Sequence, residues 1–566
     1  ASPSKAQAFC CSVIASTAPP NSQTNMKTFT KAELATHVGS RFAEDDRPSS
    51  DKMMIAIDGY VYDVTSFSKL HPGGLAVLRM VAGEDATKQF YGLHTKDVLT
   101  KYHDKLCVGL LEDSSKSDLK LPEKTGEDLV SLVPYAEIPL LRKNWAPSPW
   151  WTDSHRAFLL DMRMTLTNML PEFMDIETKG EYVGSELAQK VGATGILACL
   201  NGMACMGVAQ KLKDEGKMTF PGGMEPKNFD LWHEYLANQE FARALPVGVR
   251  NGLSGGMSIS MPAIATFWKD PRKDVVVEQI ILGQKRSCLA ISEPHAGSDV
   301  AKIVTMARKS KCGKYYIVNG IKKWITSGMN ADLFSVAVRT GAGGSGGISF
   351  LLVDKNDPKT AEGVSVKHIK TSDAKAAATA WVYFDDCYVP VENLMGKENQ
   401  GFKLIMANFN HERWLICAGV MGGIRMILKE CFLWCMQREV FGKNLMSQPV
   451  IRNKLAKMIG SIESLEGYME SITYQMANME HASAMTELGG PTAILKYQTT
   501  RIMTLVVDEA CQLFGGRALT ASGMGKNVEI IQRTYKFASI LGGSEEIMAD
   551  LGVRQALQFF PPDAKL

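Results

Sequence analysis

At 566 residues, with 45% hydrophobic and 22% charged residues, the chain has an ordinary globular composition and room for about three or four domains. A formal net charge of +3 argues against a nucleic-acid binder or a strongly basic membrane-surface protein, and no apolar run approaches the roughly 18 residues of a membrane span. The twelve cysteines are scattered without a CxxC pair, which suits free thiols in a reducing compartment; Cys431 and Cys435, one helical turn apart, are expected to pack rather than bind metal.

Residues 1–25 contain no acidic residue and are rich in Ala and Ser, as in a disordered segment or the remnant of a targeting sequence. From 26 to 112 short strands and turns dominate. MMIAIDGYVYDV alternates with period two around Asp58-Gly59, a hairpin signal. His71-Pro72-Gly73-Gly74 follows, and His94 stands 23 residues after His71. Two neutral imidazoles can clamp a haem iron from both sides and leave no open position, which suits electron transfer rather than oxygen binding. Pro72 and the two glycines would fix a sharp turn that presents His71. His103 lies outside this pattern and is expected at the surface.

GYVYDVTSF, HPGG, AGEDATKQF, the second histidine and CVGLLED together resemble cytochrome b5 domains over nearly the whole of 26–112. The resemblance implies haem b, with His71 and His94 as axial ligands. Residues 113–150 are expected to form a linker: a polar hinge, then a Pro- and Trp-rich stretch able to pack on a neighbour.

The remainder has three parts. Residues 151–286 are expected to be a helical domain, 287–400 a β-domain of alternating strands, and 401–556 a second helical domain, with 557–566 as a tail. In the β-domain, Glu293-Pro294 and Gly297-Ser298-Asp299 mark a turn with exposed amides and hydroxyls. Downstream, Trp324 can lie against a flat ring and Thr326 can donate a hydrogen bond to it. In 401–442 apolar residues recur at helical spacing around Glu412-Arg413-Trp414. A carboxylate on so apolar a helix is costly unless paired or used, and burial would strengthen it as a base.

SEPHAGSD, VNGIKKWITSG, HERWLICAG, QREVFGKNLMSQPVIRNKLAKM, CQLFGGRALT and ILGGSEEIM resemble the acyl-CoA dehydrogenase family, in its order, over roughly four hundred residues. The implied architecture is multidomain α+β: the small haem domain, a helical bundle, a β-barrel-like middle domain and a C-terminal bundle. The resemblance places Leu289, Ile291, Ser292, Trp324 and Thr326 around FAD. Arg438 and Phe441 would reach FAD across a subunit boundary. Gln512, Gly515 and Gly516 would meet its diphosphate, with Ser544 and Glu546 nearby. Ser298, Asn410 and Arg413 would face the substrate. Many members carry the catalytic Glu in a C-terminal loop where this chain has Gly542. The long-chain and isovaleryl-like branch places it on the long helix, and Glu412 fits that position.

The implied reaction is α,β-dehydrogenation of an acyl-CoA to a trans-2-enoyl-CoA in fatty-acid or branched-acyl catabolism. The electrons would pass to the attached haem, to an electron-transfer flavoprotein, or to oxygen in an oxidase. The competing expectation is a haem electron-transfer module on a catalytically idle acyl-CoA-binding scaffold. A homo-oligomer, dimer or tetramer, is implied by family alone. Ala564-Lys565-Leu566 is a close variant of the Ser-Lys-Leu peroxisomal address, with the mitochondrial matrix as the alternative.

Overall fold

The computed structural model describes residues 26–39, 51–71, 74–91, 94, 96–112, 125–372, 375–561 and 563–564. The readings made on residues 1–25, on Pro72 and Gly73, on 113–124 and on Lys565-Leu566 lie outside the described residues. The chain divides into two units, one within residues 1–123 and one made by nearly all of the rest. Among the described residues no helix is long and apolar enough to cross a membrane.

The small unit is a four-stranded mixed sheet with short helices. Lys27–Phe29 pairs parallel with Cys107–Leu111, which pairs antiparallel with Tyr60–Asp63, which pairs antiparallel with Met54–Ile57. The expected hairpin turns at Asp58 and Gly59, with φ of 51° and 79°. Two successive positive φ values match the right-handed twist of the flanking strands. Alternation along the first hairpin strand sends Met53, Ile55 and Ile57 into one apolar cluster and Met54 and Ala56 into another, so both sheet faces are covered. His103 departs from its expected surface place. It is half-buried, its Nδ1 lies 2.9 Å from the Tyr62 hydroxyl, and its ring meets Tyr60 edge-on. The alternation of the strand sequence gave no hint that a helix residue would cap those tyrosines.

In the larger unit helices fill 153–281 and an eight-stranded sheet follows. Its order is Val364–His368, Ala380–Pro390, Tyr315–Ile325, Met306–Lys309, Leu333–Arg339, Ile348–Asp354 and Leu394–Met395, with Ser287–Ala290 added parallel to Leu333–Arg339. The terminal strands do not pair with each other, so the expected barrel-like domain is an open sheet among the described residues. Its core holds Val318, Phe334, Val336, Leu351, Val353, Val382 and Val389.

The long helix Gly401–Gln437 packs on Leu231–Ala244, Pro449–Asn478 and Gly489–Phe514. It is apolar around most of its circumference because helices surround it. An added Cβ at Gly422 would stand 2.0 Å from the Gln239 carbonyl oxygen, so only glycine permits this approach of the 231–244 helix. Cys431 and Cys435 are buried free thiols on this helix.

Residues 125–151, which take in the Pro- and Trp-rich end of the expected 113–150 linker, pack within the larger unit. Glu137 is 4% exposed and receives both Arg163 Nη atoms at 2.8 and 2.9 Å, while Arg163 Nη2 also donates to Glu240 at 2.8 Å. Arg142 forks onto Glu463 at 2.8 and 2.6 Å, and Trp151 Nε1 donates to Glu470. Removing the buried guanidinium would leave the buried Glu137 without its ion-pair partner, while Glu240 would keep Arg243. Arg163→Met is therefore expected to cost about 3–5 kcal/mol in denaturant unfolding. Arg554→Met, which breaks an exposed pair with Asp550, should stay within about 0.5 kcal/mol.

Candidate active site

Glu412 sits within the long helix Gly401–Gln437. Its side chain is 5% exposed, and its Oε2 is buried without a hydrogen-bond partner. Burial pushes its carboxyl up to about 7, a rise restrained by the Arg413, Lys496 and His411 cations. Arg413 does not bond to Glu412, as expected of helix neighbours that point about 100° apart. Instead its Nε donates to the Gly542 carbonyl at 2.9 Å and its Nη1 to Asn410 Oδ1 at 2.9 Å. Arg413 and Asn410, expected at the substrate, thus spend these bonds on a loop and on each other.

That loop is the one that lacks the glutamate. An ideal Cβ at Gly542 would lie 3.6 Å from Glu412 Oε1 and 2.9 Å from Ile416 Cδ1. Position 542 and Glu412 therefore address the same point from opposite sides. Lys496, fully buried, anchors the loop by donating to the Ser539 and Gly543 carbonyls. Burial pulls its ammonium down to about 8. Behind Glu412, His411 Nε2 pairs with the buried Glu234 at 2.8 Å. Burial opposes charge on His411, but the Glu234 carboxylate outweighs it and holds the imidazolium above its usual range.

The strand side is built around a buried ion pair. Lys322, fully buried, donates to Glu293 Oε1 at 2.8 Å and to the Ile291 carbonyl at 2.9 Å. Glu293 also receives the Val304 and Thr305 amides at 2.7 and 2.9 Å. Burial would raise its carboxyl, but Lys322 and these amides hold it below the usual range. The turn 293–299 is thereby fixed, with Leu289 and Ser292 half-buried and Ser298 exposed. Trp324 is 53% exposed and has φ of 65°. A left-handed tryptophan with its ring in the open is strained and underused by its own chain, as at a ligand clamp. Its recorded ring partner is the Lys323 ammonium, 4.3 Å from the centroid and equally close to Trp381. Thr326, two residues on, is 7% exposed.

Gln512 and Gly515 line a groove of ≈ 820 Å³ beside Arg501, Asp508, Gln532 and Tyr535. An added Cβ at Gly515 or Gly516 would meet no atom within 4 Å, and Gly515 has φ of 58°. Such a bare backbone lets a diphosphate approach closely. Ser544 precedes the helix Glu545–Gln558, and Glu546 is exposed, its carboxyl below the usual range through the Glu546 amide and Ser544. Arg438 and Phe441 occupy a small hairpin after the long helix, with Phe441 96% exposed. Among the described residues no hydrogen bond or ring contact joins them to Trp324 or Thr326. The groove, the open indole and the bare glycines fit FAD. Trp324→Ala is expected to weaken FAD retention about tenfold, read by flavin release on dilution, if the indole stacks on the ring.

In the small unit the His71 and His94 ring centroids are 5.9 Å apart, with planes at 75°. That gap accommodates one metal with two nitrogen bonds of about 2 Å. His71 Nδ1 donates to the Gly74 carbonyl at 3.3 Å, which leaves Nε2 as the ligand nitrogen. Burial first, and the neighbouring His71 second, hold His94 below its usual pKa, the neutral form a ligand needs. Phe67 and Phe90 pack edge-on and tilted against the two imidazoles. These residues fit a haem clamped on both sides.

Sequence reading missed Lys496 and Glu234. Each is a lone charge inside an apolar helical stretch, the same signal that flagged Glu412, but neither sits in a motif. A third cluster, His155, Asp230 and His233, has metal-ligand spacing. Its ring nitrogens are occupied: His155 caps Thr152 and meets Asp230, and His233 meets Asp230 and Ser154. It ties two helix starts together.

Three family models match the chain: the cytochrome b5-like haem/steroid binding domain over 30–112, the acyl-CoA dehydrogenase middle domain over 288–387 and the acyl-CoA dehydrogenase C-terminal domain over 399–557. The acyl-CoA dehydrogenase apdG of Emericella nidulans is 38% identical over 441 residues, 77% of this chain and 98% of that protein. The human mitochondrial very long-chain specific acyl-CoA dehydrogenase is 30% identical over 326 residues, 55% of this chain and 48% of that protein. Among solved structures, an acyl-CoA dehydrogenase from Geobacillus kaustophilus superposes with a TM-score of 0.61 at 25% identity, covering 72% of this chain and all of that one. Butyryl-CoA dehydrogenase from Megasphaera elsdenii, at 24% identity and a TM-score of 0.62, shares the fold.

Proposed function

We propose, because this chain belongs to the acyl-CoA dehydrogenase family and carries a cytochrome b5-like domain, that it oxidises a saturated acyl-CoA to the trans-2-enoyl-CoA and passes the electrons to its own haem. The observation that carries the reading is the buried Glu412 carboxyl beside the loop whose glutamate is replaced by Gly542. FAD, the family's cofactor, would supply a two-electron acceptor for the β-hydrogen, and the haem of the b5-like domain, which takes one electron at a time, would have to be reduced twice for each substrate.

The chain's own part begins with Glu412. Its ionised carboxylate, poorly solvated and without a donor on Oε2, takes the proton from the substrate α-carbon. Arg413 and Lys496 hold the carbonyls of the 539–543 loop, so the space over Glu412 keeps its shape. The same two cations keep the carboxyl near neutrality rather than higher, so a usable fraction is ionised at neutral pH. Trp324 and Thr326 offer one face and one hydroxyl for the flavin ring. Gln512, Gly515 and Gly516 offer the bare backbone for its diphosphate. The exposed Arg438–Phe441 hairpin suits a flavin site in a second copy of the chain, which supports a homo-oligomer. His71 and His94 would hold the haem iron. Covalent attachment raises the haem's effective concentration at any surface its connection reaches, which favours it over a diffusing acceptor.

Mixing the holoprotein with a saturated acyl-CoA without air tests both halves of the reading. Bleaching of the flavin band followed by rising reduced-haem bands is the expected result. Bleaching with haem still oxidised would remove the haem as acceptor but keep the dehydrogenation. No change with any chain length would overturn the catalytic reading in favour of an idle acyl-CoA-binding scaffold.

A further inference from the structure

Arg250 ends the short helix Val247–Arg250 and opens the π-helical turn Asn251–Gly255. Turns of this kind redirect side chains and recur at functional sites. This one is wedged against the flavin-side strand: Ser327 donates to the Asn251 carbonyl at 2.8 Å, and an added Cβ at Gly256 would strike the Thr326 carbonyl at 2.7 Å.

The Arg250 guanidinium is only partly accessible, yet among the described residues no hydrogen bond, ion pair or ring contact engages it. Every other deeply placed arginine described above is tied down. Arg163 meets two carboxylates, Arg425 meets Glu463 and Glu466, and Arg413 meets Gly542 and Asn410. Burial alone lowers the Arg250 guanidinium to about 10, and no carboxylate offsets it. The next residue repeats the pattern, since the buried Asn251 Nδ2 also lacks a partner.

The direction is set by the long helix. An ideal Cβ at Gly419 would have Arg250 Nη1 at 3.7 Å and Ala242 Cβ at 3.7 Å as its near neighbours. Gly419 is seven residues after Glu412, and Ile416 lies between, so the three share one helical face. Along 412–421 of this buried helix, Ile416 and Gly419 are the positions left partly open. The small Gly419 and Ala242 let the guanidinium lie close against the helix. Seven residues of helix separate it from the catalytic carboxylate by about 10 Å. A substrate with its α-carbon at Glu412 and its chain along this face would end at Arg250.

We infer that Arg250 is a specificity-determining residue that selects an acyl chain bearing an acceptor oxygen, a carboxylate or carbonyl, at its distal end over a plain alkyl chain. The inference rests on the acyl-CoA dehydrogenase reading above. A half-buried guanidinium with no partner among the described residues binds such an oxygen through charge-assisted hydrogen bonds. A methyl end would leave it unpaired.

The test compares ω-carboxyacyl-CoA and ω-oxoacyl-CoA with plain acyl-CoA of matched length, on the FAD-loaded full chain. Rates of flavin bleaching are followed, together with calorimetric binding to a Glu412→Gln background that does not require turnover. The expected result is a preference for an oxygenated probe of about tenfold or more in both readouts. Arg250→Met should abolish it, and Arg250→Lys should retain part of it. Equal handling of all probes by the unaltered chain, or a preference unchanged in Arg250→Met, would overturn the inference. Loss of FAD in Arg250→Met with the preference intact would do the same and assign the guanidinium to the flavin. Selective binding without bleaching of any probe would uphold Arg250 and overturn the dehydrogenase reading instead.

Discussion

Glu412→Gln should slow flavin bleaching by a saturated acyl-CoA about 10²- to 10⁴-fold, the range expected for loss of a positioned general base. The amide keeps the volume and polarity of the side chain, so folding and FAD content should be unchanged. In the unaltered chain the rate should depend on ionisation of Glu412. Burial raises its carboxyl to about 7, so kcat/KM should rise with pH through about 7 and level off above it. Glu412→Gln should abolish that limb. The contact at Gly542 extends the prediction. Its Cβ position faces Glu412 Oε1 at 3.6 Å, and the tightest neighbour is the movable end of Ile416. The double variant Glu412→Gly with Gly542→Glu should therefore recover part of the rate. Recovery will be incomplete because φ of 64° at 542 strains any residue with a Cβ. A double variant no faster than Glu412→Gln alone would mean that the two positions do not share a reaction point.

Loss of either axial histidine should have an all-or-none effect on the other cofactor. His71→Ala or His94→Ala should remove the sharp reduced bands of a haem held by two histidines, because one of the two axial positions would be left without its imidazole. Flavin bleaching by substrate should persist at the unaltered rate, since the two histidines lie in a unit that folds around its own core. Electrons should then accumulate on the flavin unless oxygen or another acceptor is added. His103→Ala is the control. It would remove the contact to the Tyr62 hydroxyl but no axial ligand, so the haem bands should remain. If a His71 variant kept a normal reduced-haem spectrum, the ligand assignment would fall.

The parts of this protein legible in the sequence are those whose chemistry is local. Asp58-Gly59 announces its hairpin because the turn needs two positive φ values. Trp324 stands at the end of a strand and Thr326 just past it, so their proximity follows from adjacency. Glu412 stood out because a charge on an apolar helix demands an explanation, and Gly542 sharpened the case. What could not be read arises from contacts between distant segments. Nothing near Lys496 indicates that its ammonium reaches Ser539 and Gly543. Nothing near Arg250 indicates that no carboxylate reaches it. The Pro- and Trp-rich stretch after 124 reads as able to pack on a neighbour, but nothing near Glu137 indicates that it meets Arg163, 26 residues on, which also holds Glu240. The alternation of the middle strands indicates a β-domain, but whether its sheet closes is a property of the edges, which alternation does not encode.

The clasp formed by residues 125–151 decides where the two halves can be cut apart for study. A fragment beginning at 151, the natural choice if everything before the first long helix were spacer, would keep Arg163 and Glu240 but discard Glu137 and Arg142. Glu463 would be left with Arg425 alone, and apolar surface under Ile138, Leu140 and Leu141 would be laid bare. Such a truncate would be prone to aggregate, and its poor behaviour could be mistaken for dependence on the haem unit. A dissection that begins before Gly126 keeps the clasp intact and lets dehydrogenation and electron delivery be measured on separate polypeptides.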